Sequence, residues 1–187
     1  KSRPYNRLTN LKKVAKKAKD SKIFGPYLTW TPKASKSATP PPASDPTASA
    51  TPTPVAPKPK RANAATVGFS NFTRTEWALK GKTWRRTNGF AASGQEFAAD
   101  TLIVLFCKVG DAGYRDPAGN PVPETKLEGT GRAMLFNGKN VTEATWKKDT
   151  VRSTISFTAK DGSPVTVDAG NVFVELIPKD GGSVKLR

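Results

Sequence analysis

From Val67 onward, apolar and polar residues alternate with a period of two, and turn dipeptides interrupt the alternation at short intervals. This period places successive side chains on opposite faces of a strand. The turn dipeptides are Lys80-Gly81, Asn137-Gly138 and Asp161-Gly162. Because the runs follow one another with no helix between them, the pattern predicts a mostly β domain over residues 67–187, an antiparallel sheet curled into a sandwich or small barrel.

A nearly continuous apolar run replaces the alternation between Thr101 and Val109. It is rich in β-branched and aromatic residues and lacks helix caps, which predicts a central strand covered on both faces. The single cysteine, Cys107, lies inside this run and is interpreted as a small buried hydrophobe rather than a reactive thiol. The large apolar side chains of the predicted strands are expected in the core, namely Leu102, Val104, Phe106, Phe136, Ile155, Phe173 and Leu176.

The strongest hairpin signal is Asn137-Gly138, in the stretch RAMLFNGKNVTEATWKK. It predicts a type I′ turn, which requires a positive φ at both central residues. The second strand of this hairpin ends in Trp146, beside two lysines. Strand alternation favours a core position for this ring and for Trp77 and Trp84. The alternative is a binding edge, because aromatic rings interleaved with cations also stack on bases or sugars.

The first 66 residues differ from the rest of the chain. Residues 9–19, TNLKKVAKKAK, place apolar side chains at helical spacing and predict a short amphipathic helix within a basic segment, residues 1–30. Residues 31–66 hold nine prolines among Ala, Ser, Thr and Lys, with almost no large apolar side chain. Such a segment cannot bury enough surface to offset its ordering entropy, so it is predicted to be a disordered Pro-rich linker.

Positive charge is concentrated in the same region. The chain carries 31 Lys and Arg against 15 Asp and Glu, and residues 1–66 hold 14 of the former but only 2 of the latter. A basic arm indicates an anionic partner, such as nucleic acid, anionic lipid or a cell-wall polymer, unless its charge only keeps the segment solvated. No run of about 18 apolar residues, the length that spans a membrane as a helix, occurs.

Histidine is absent and only one cysteine is present. These facts exclude an internal disulfide, a metal cluster of cysteines or imidazoles, and the usual histidine-dependent triads. The Gly129-x-Gly131 element precedes a predicted strand, so a bulge or close backbone approach is favoured over a phosphate-binding loop. Carboxylates such as Asp111 and Asp116 follow no metal-binding or acid–base pattern. We therefore expect no metal, no cofactor and no enzymatic activity.

An ordered series of short elements occupies the C-terminal half: LEGTG (127–131), LFNG (135–138), TWKK (145–148), the Asp161-Gly162 turn and DAGNVFVELIP (168–178). This series resembles the second domain of the YerB-like bacterial lipoprotein family, whose function is unknown. Residues 3–11 resemble the segment that closes the first domain of that family. The resemblance implies an extracytoplasmic protein, membrane-anchored or secreted, with an upstream domain before Lys1. It also implies that the protein meets the membrane only through a lipid anchor outside this chain.

Residues 110–126, rich in Gly, Pro and Asp, are predicted to form a long loop that leads into the next strand. We hypothesise that a site for an anionic or sugar-like ligand forms at one end of the sheet from Tyr114, Arg115, Glu128, Arg132 and Trp146. The expected function is a non-catalytic cell-envelope binding or scaffolding module, with an envelope protein, an anionic wall polymer or the upstream domain as partner. The alternative is a nucleic-acid-binding β domain with a basic N-terminal arm, which the charge alone supports and the resemblance opposes.

Overall fold

The structure, a computed structural model, describes residues 26–31, 60–92 and 94–187. These residues form thirteen strands and no helix, which confirms the mostly β prediction. The strands are β1 (Lys60–Arg61), β2 (Ala64–Gly68), β3 (Arg74–Lys80), β4 (Thr83–Arg86), β5 (Ala98–Ala99), β6 (Thr101–Arg115), β7 (Pro121–Lys126), β8 (Gly129–Asn137), β9 (Asn140–Lys148), β10 (Ser156–Ala159), β11 (Pro164–Val165), β12 (Val172–Pro178) and β13 (Ser183–Leu186). The helix expected over residues 9–19 and the linker residues 32–59 lie outside the described residues.

Eight strands form a large sheet. Its main path runs β11-β10-β9-β8-β6-β12, with β1 paired to β9 and β7 paired to β6. Within the described part of the chain, β6 and β12 are the only two named strands that pair in parallel, and every other pair is antiparallel as predicted. The parallel pair arises because the chain crosses from β11 at one end of the path to β12 at the other.

Strand β6 confirms the central-strand prediction. Its first seven residues, 101–107, are all buried, because β8 and β12 flank them and other side chains cover both faces. Alternate residues enter two separate cores: Leu102, Val104 and Phe106 on one side, and Ile103, Leu105 and Cys107 on the other. Among the other predicted core residues, Phe136 and Ile155 are buried, whereas Phe173 and Leu176 are partly buried against the two cores.

The first core is shared with a second, five-stranded antiparallel sheet, whose strands run in the order β13-β2-β3-β4-β5. Trp77 and Trp84 of this small sheet are at most 1% exposed. The Trp77 ring lies 5.0 Å from that of Phe173, and the Trp84 ring meets Phe136 edge-on at 5.3 Å. Each indole N–H also donates a hydrogen bond, so the polar atom of each ring is satisfied. The core position favoured for these two tryptophans is therefore confirmed.

A short segment that we call the strap, residues 26–31, helps to close the second core. Leu28 is buried in that core, and the backbone forms β-bridges from Leu28 to Ile155 and from Trp30 to Val167. Backbone hydrogen bonds of 2.8 Å reinforce both bridges. The strap is thus part of the β domain in space, although the sequence places it in and beside the basic N-terminal segment.

The first strands begin before the boundary predicted at Val67. β1 starts at Lys60 and pairs with β9, and β2 starts two residues after the buried Ala62. The prediction that the linker continues to residue 66 is therefore wrong for residues 60–66. Residues 62–66 have small side chains that give no strand signal of their own. Residues 64–66 form part of β2 because pairing with other strands and close packing against the large sheet outweigh their low intrinsic β-propensity.

The prediction of a long loop after β6 is also wrong. Residues 108–126 form a two-stranded antiparallel unit that we call the ribbon, in which β6 continues to Arg115 and β7 returns beside it with Gly110 opposite Glu124. A register shift between Asp111 and Arg115 marks a β-bulge. Gly, Asp and Pro usually form loops, but an exposed ribbon tolerates them because its side chains fill no core and its prolines lie on an edge strand.

The hairpin between β8 and β9 is confirmed, but its turn is not type I′. Asn137 pairs with Asn140, so the two loop residues are Gly138 and Lys139. Gly138 has a φ of 51°, whereas none of the non-glycine residues in the described ranges has a positive φ. A positive φ at the first loop residue alone is the pattern of a type II′ turn, which requires glycine at that position.

Glu143 ties the start of the domain to the large sheet. Its carboxylate accepts a hydrogen bond from Lys60 Nζ at 2.8 Å and lies 2.9 Å from Lys160 Nζ. The hydrogen bonds from Lys60 and Lys160, opposed in part by desolvation, lower the pKa of Glu143 from 4.5 to about 2. The carboxylate therefore holds β1 and the end of β10 against β9 in its charged form.

We predict that Glu143→Gln lowers the free energy of unfolding at about pH 7 and that its difference from the parent shrinks on acidification. Because the pKa is lowered in the folded state, the stabilisation is complete above pH 4.5 and is lost as the pH falls toward about 2. Denaturant unfolding across this range measures the difference, with Glu128→Gln, at an exposed carboxylate, as the control. A difference that stays constant over the whole range would contradict the prediction.

Candidate functional site

Tyr114 and Arg115 lie at the tip of the ribbon. Tyr114 is 63% exposed, and Arg115 donates a 2.9 Å hydrogen bond from Nη1 to the Gly119 carbonyl. Asp116 closes the tip, because its Oδ1 accepts hydrogen bonds from two backbone N–H groups of the turn. Hydrogen bonds from Asn120, that of its side chain first, lower the pKa of Asp116. The tip is thus a closed turn that presents both predicted side chains to solvent.

Glu128 and Arg132 lie at the base of the ribbon and are exposed. The guanidinium carbon of Arg132 lies 3.8 Å from the centroid of the Phe106 ring, a cation–π contact at the outer edge of the first core. Phe106 and Arg115 are nine residues apart on β6, which corresponds to about 30 Å of extended strand. The base and the tip of the ribbon therefore cannot contact the same small ligand.

Trp146 lies inside the second core and is 1% exposed. Its Nε1 donates a 3.1 Å hydrogen bond to the Phe106 carbonyl. Its ring covers Gly131, where an added Cβ would lie 2.6 Å from Trp146 Nε1. The close backbone approach predicted for the Gly129-x-Gly131 element is therefore confirmed at Gly131.

The structure does not bring the five predicted residues together. Gly131 pairs with Trp146 and Arg132 pairs with Thr145, so Arg132 and Trp146 occupy opposite faces of the sheet. The tip, the base and the core are three separate places, and a buried ring cannot stack on a ligand. Only Tyr114 and Arg115, and separately Glu128 and Arg132, remain candidates for shared contacts.

The two lysines that follow Trp146 have different environments. Lys147 is exposed and forms an ion pair with Asp149 at 3.1 Å. Lys148 is only 6% exposed, and its Nζ donates hydrogen bonds of 2.5–2.7 Å to the carbonyls of Thr150, Val151 and Ser153. The buried ammonium thus organises the connection between β9 and β10, so this part of the motif is structural.

Lys148→Met should therefore lower the free energy of unfolding by roughly 2–3 kcal/mol, because three carbonyls lose a charged donor. Lys147→Met is the matched control, since it removes an exposed ion pair, and it should change stability by less than about 1 kcal/mol. Urea denaturation of both variants measures the difference. Equal stability of the two variants would contradict the structural role of Lys148.

Gly131→Ala should cost about 1–3 kcal/mol, because the new methyl group would overlap the Phe106 carbonyl and the Trp146 ring. Gly110→Ala is the control, because its Cβ would meet only Lys126 Cε at 3.5 Å, an ordinary contact. Near-UV circular dichroism should report a disturbed tryptophan environment in the Gly131 variant alone. Parent-like stability and spectrum would show that Trp146 does not pack on Gly131.

The single thiol of the chain is part of the core. Cys107 is buried, and desolvation raises the pKa of its thiol to about 11, which confirms its interpretation as a core residue. The ranges that the structure describes contain no group of three acidic or cysteine side chains placed to hold a metal ion. In the same ranges no helix is long and apolar enough to cross a membrane.

The sequence analysis missed a group of exposed aromatic side chains at one end of the small sheet. We call it the aromatic end, and it comprises Phe72 in the β2–β3 turn and Phe90 and Phe97 in the β4–β5 connection. Their exposed fractions are 95%, 108% and 56%. Both connections lie at the same end because β3 and β4 pair as a hairpin whose own turn is at the opposite end. A phenylalanine inside a turn-rich stretch, as in SNFT and TNGFAAS, is the signal that could have identified them.

Comparisons with known proteins agree with this architecture. The profile of the family described as "Protein of unknown function (DUF3048) C-terminal domain" matches residues 65–174. The crystal structure of the YerB protein from Bacillus subtilis is similar over 70% of this chain, with a TM-score of 0.50 and 20% sequence identity, a level at which the likeness shows the fold alone. The match covers 46% of that YerB chain, so this chain corresponds to less than half of its length. A search of curated proteins finds no match.

Proposed function

Because this chain belongs to the DUF3048 family through its C-terminal domain, we propose that it is a non-catalytic binding or scaffolding module of the bacterial cell envelope, located outside the cytoplasm. The observation that carries the proposal is the ribbon. Residues 108–126 extend beyond the sheet core, and nearly all of their side chains are exposed or only partly buried on both faces. An isolated two-stranded ribbon is marginally stable in water, so the regular pairing of this ribbon would be stabilised by a partner that packs on it.

The partner that fits the ribbon is an envelope protein. The ribbon has three cationic and three anionic side chains and therefore no net charge that would attract an anionic wall polymer. They are Lys108, Arg115 and Lys126, and Asp111, Asp116 and Glu124. β7 is an edge strand, and an edge strand offers unpaired backbone groups to which another chain can add a strand. Tyr114 supplies an exposed aromatic side chain at the tip, of the type enriched in protein interfaces.

The proposal that the module acts by contact, without turnover, is supported by its lack of the usual catalytic groups. The sequence contains no histidine, its one thiol is buried in the core, and the predicted site residues do not converge on a shared cleft. General acid–base and nucleophilic catalysis both need such groups within hydrogen-bond reach of each other.

A nucleic-acid-binding module remains the alternative, because residues 1–66 carry most of the excess positive charge. Residues 67–187 hold 17 Lys and Arg against 13 Asp and Glu, so the β domain itself is only weakly basic. Binding to a DNA duplex should then show a steep fall of the logarithm of affinity with the logarithm of salt concentration.

The ribbon can be shortened without disturbing the sheet, because Gly110 and Glu124 face each other in register. We predict that replacing residues 111–123 with Asn-Gly leaves the melting temperature within about 4 °C of the parent, a shift of no more than about 1 kcal/mol. The same variant should lose binding to detergent-solubilised bacterial envelope proteins, whereas Val151→Ser, at an exposed residue elsewhere, should keep it.

Binding is measured by retention of envelope proteins on each immobilised protein, with purified cell wall and a DNA duplex as parallel probes. Retention by the shortened variant equal to that of the parent would contradict the role of the ribbon. Salt-sensitive binding to DNA, without binding to the envelope fraction, would favour the nucleic-acid alternative.

A further inference from the structure

The aromatic end leaves the rings of Phe72 and Phe90 almost fully in water and that of Phe97 partly exposed beside Phe173, and we infer that it inserts into the surface of an anionic lipid membrane. This inference goes beyond the proposed function, because it concerns a different surface from the ribbon. It also departs from the expectation that the protein meets a membrane only through a lipid anchor, because the contact is made by the β domain itself. Exposing a phenylalanine ring is unfavourable, and monomeric soluble domains seldom gather exposed apolar groups at one place without a binding role.

The turn that carries Phe72 is closed by its own hydrogen bonds. The N–H groups of Phe69 and Ser70 donate to the Thr73 carbonyl at 2.9 and 3.3 Å. The Ser70 hydroxyl accepts hydrogen bonds from the N–H groups of Phe72 and Thr73 at 3.2 and 3.1 Å. Four backbone N–H groups of the turn therefore have partners within the turn, and the ring of Phe72 projects from it into solvent.

Asn88, two residues before Phe90, is hydrogen-bonded to the first residues of β3. The Asn88 side chain accepts a 2.9 Å hydrogen bond from the Glu76 N–H and donates one of 2.9 Å to the Arg74 carbonyl. Phe90 follows Asn88 by two residues, and Phe72 precedes Arg74 by two residues. Both phenylalanines are thus within two residues of backbone or side-chain groups at the start of β3.

The shape of the aromatic end suits a deformable partner. Phe72 and Phe90 are each almost fully exposed, so neither ring packs against the other or lines a groove. Separate protruding rings gain burial from a fluid surface that can close around each of them, whereas a protein partner would need a matching pocket for each ring. Aromatic side chains are also the ones that partition best into the membrane interface.

The charge of the chain selects an anionic membrane. The net charge is +16, and three arginines lie in the strands next to the aromatic end, Arg74, Arg85 and Arg86. Two of them are paired with Glu76 and Glu96. Most of the remaining positive charge lies in residues 1–66, which carry 14 Lys and Arg against 2 Asp and Glu. This charge attracts the chain to a surface of opposite charge over the distance that salt screening allows.

The test is co-sedimentation of the full chain with vesicles of phosphatidylcholine, with and without about one third phosphatidylglycerol. We expect binding to the anionic vesicles, weakened about tenfold by Phe72→Ser and about tenfold by Phe90→Ser, since each removes the burial of one ring. Phe72→Trp should retain binding, because tryptophan favours the membrane interface. Val151→Ser is the matched control, since it removes a 73% exposed apolar side chain from a different loop, and it should bind like the parent.

Two results would overturn the inference. The first is failure of the parent to bind anionic vesicles, or binding that the serine substitutions leave unchanged, which would assign any attraction to the basic N-terminal segment alone. The second concerns single-stranded DNA as the probe. If the two serine variants lose binding to single-stranded DNA but keep binding to vesicles, the rings stack on bases. The variant with the shortened ribbon should bind vesicles like the parent, so the outcome is independent of the ribbon proposal.

Discussion

The burial of both faces of one strand is the constraint on which the rest of the structure depends. Residues 101–107 of β6 alternate between two cores, and each core needs its own cover. The small sheet supplies one cover through Trp77 and Trp84. The strap and strands β8 to β10 of the large sheet supply the other, which contains Leu28 and Trp146. A chain with 36% hydrophobic residues has limited apolar material for its cores. Strand β6 supplies buried side chains to both cores at once.

The same strand also accounts for the most exposed feature. Once β6 passes Cys107, it leaves both cores and continues as one side of the ribbon. The change from buried to exposed occurs at Lys108, where the apolar run ends. One continuous strand therefore connects the packed centre of the domain to the tip of the ribbon. The core positions the tip, although no side chain of the tip is part of the core.

Several residues that suggested binding chemistry instead maintain the fold. Trp146 donates a hydrogen bond to the β6 backbone, Gly131 leaves space for its ring, and Lys148 donates hydrogen bonds to the carbonyls of the following turn. Two exposed features lie at the extremities of the domain: the ribbon tip around Tyr114 and the aromatic end. This division is consistent with a domain that acts by contact, in which a packed centre holds separate peripheral surfaces in place.

The sequence by itself determined the local features of this protein. Period-two alternation predicted which face each strand residue occupies, including the burial of Trp77 and Trp84, and glycine dipeptides located the hairpins because few other residues accept a positive φ. Tertiary structure alone decided the long-range partners: β12 in parallel beside β6, the strap across Ile155 and Val167, and a register that separates Arg132 from Trp146. These features depend on which distant segments pair and which surfaces remain uncovered. Such pairing depends on packing across the whole domain, so no local pattern of side chains encodes it.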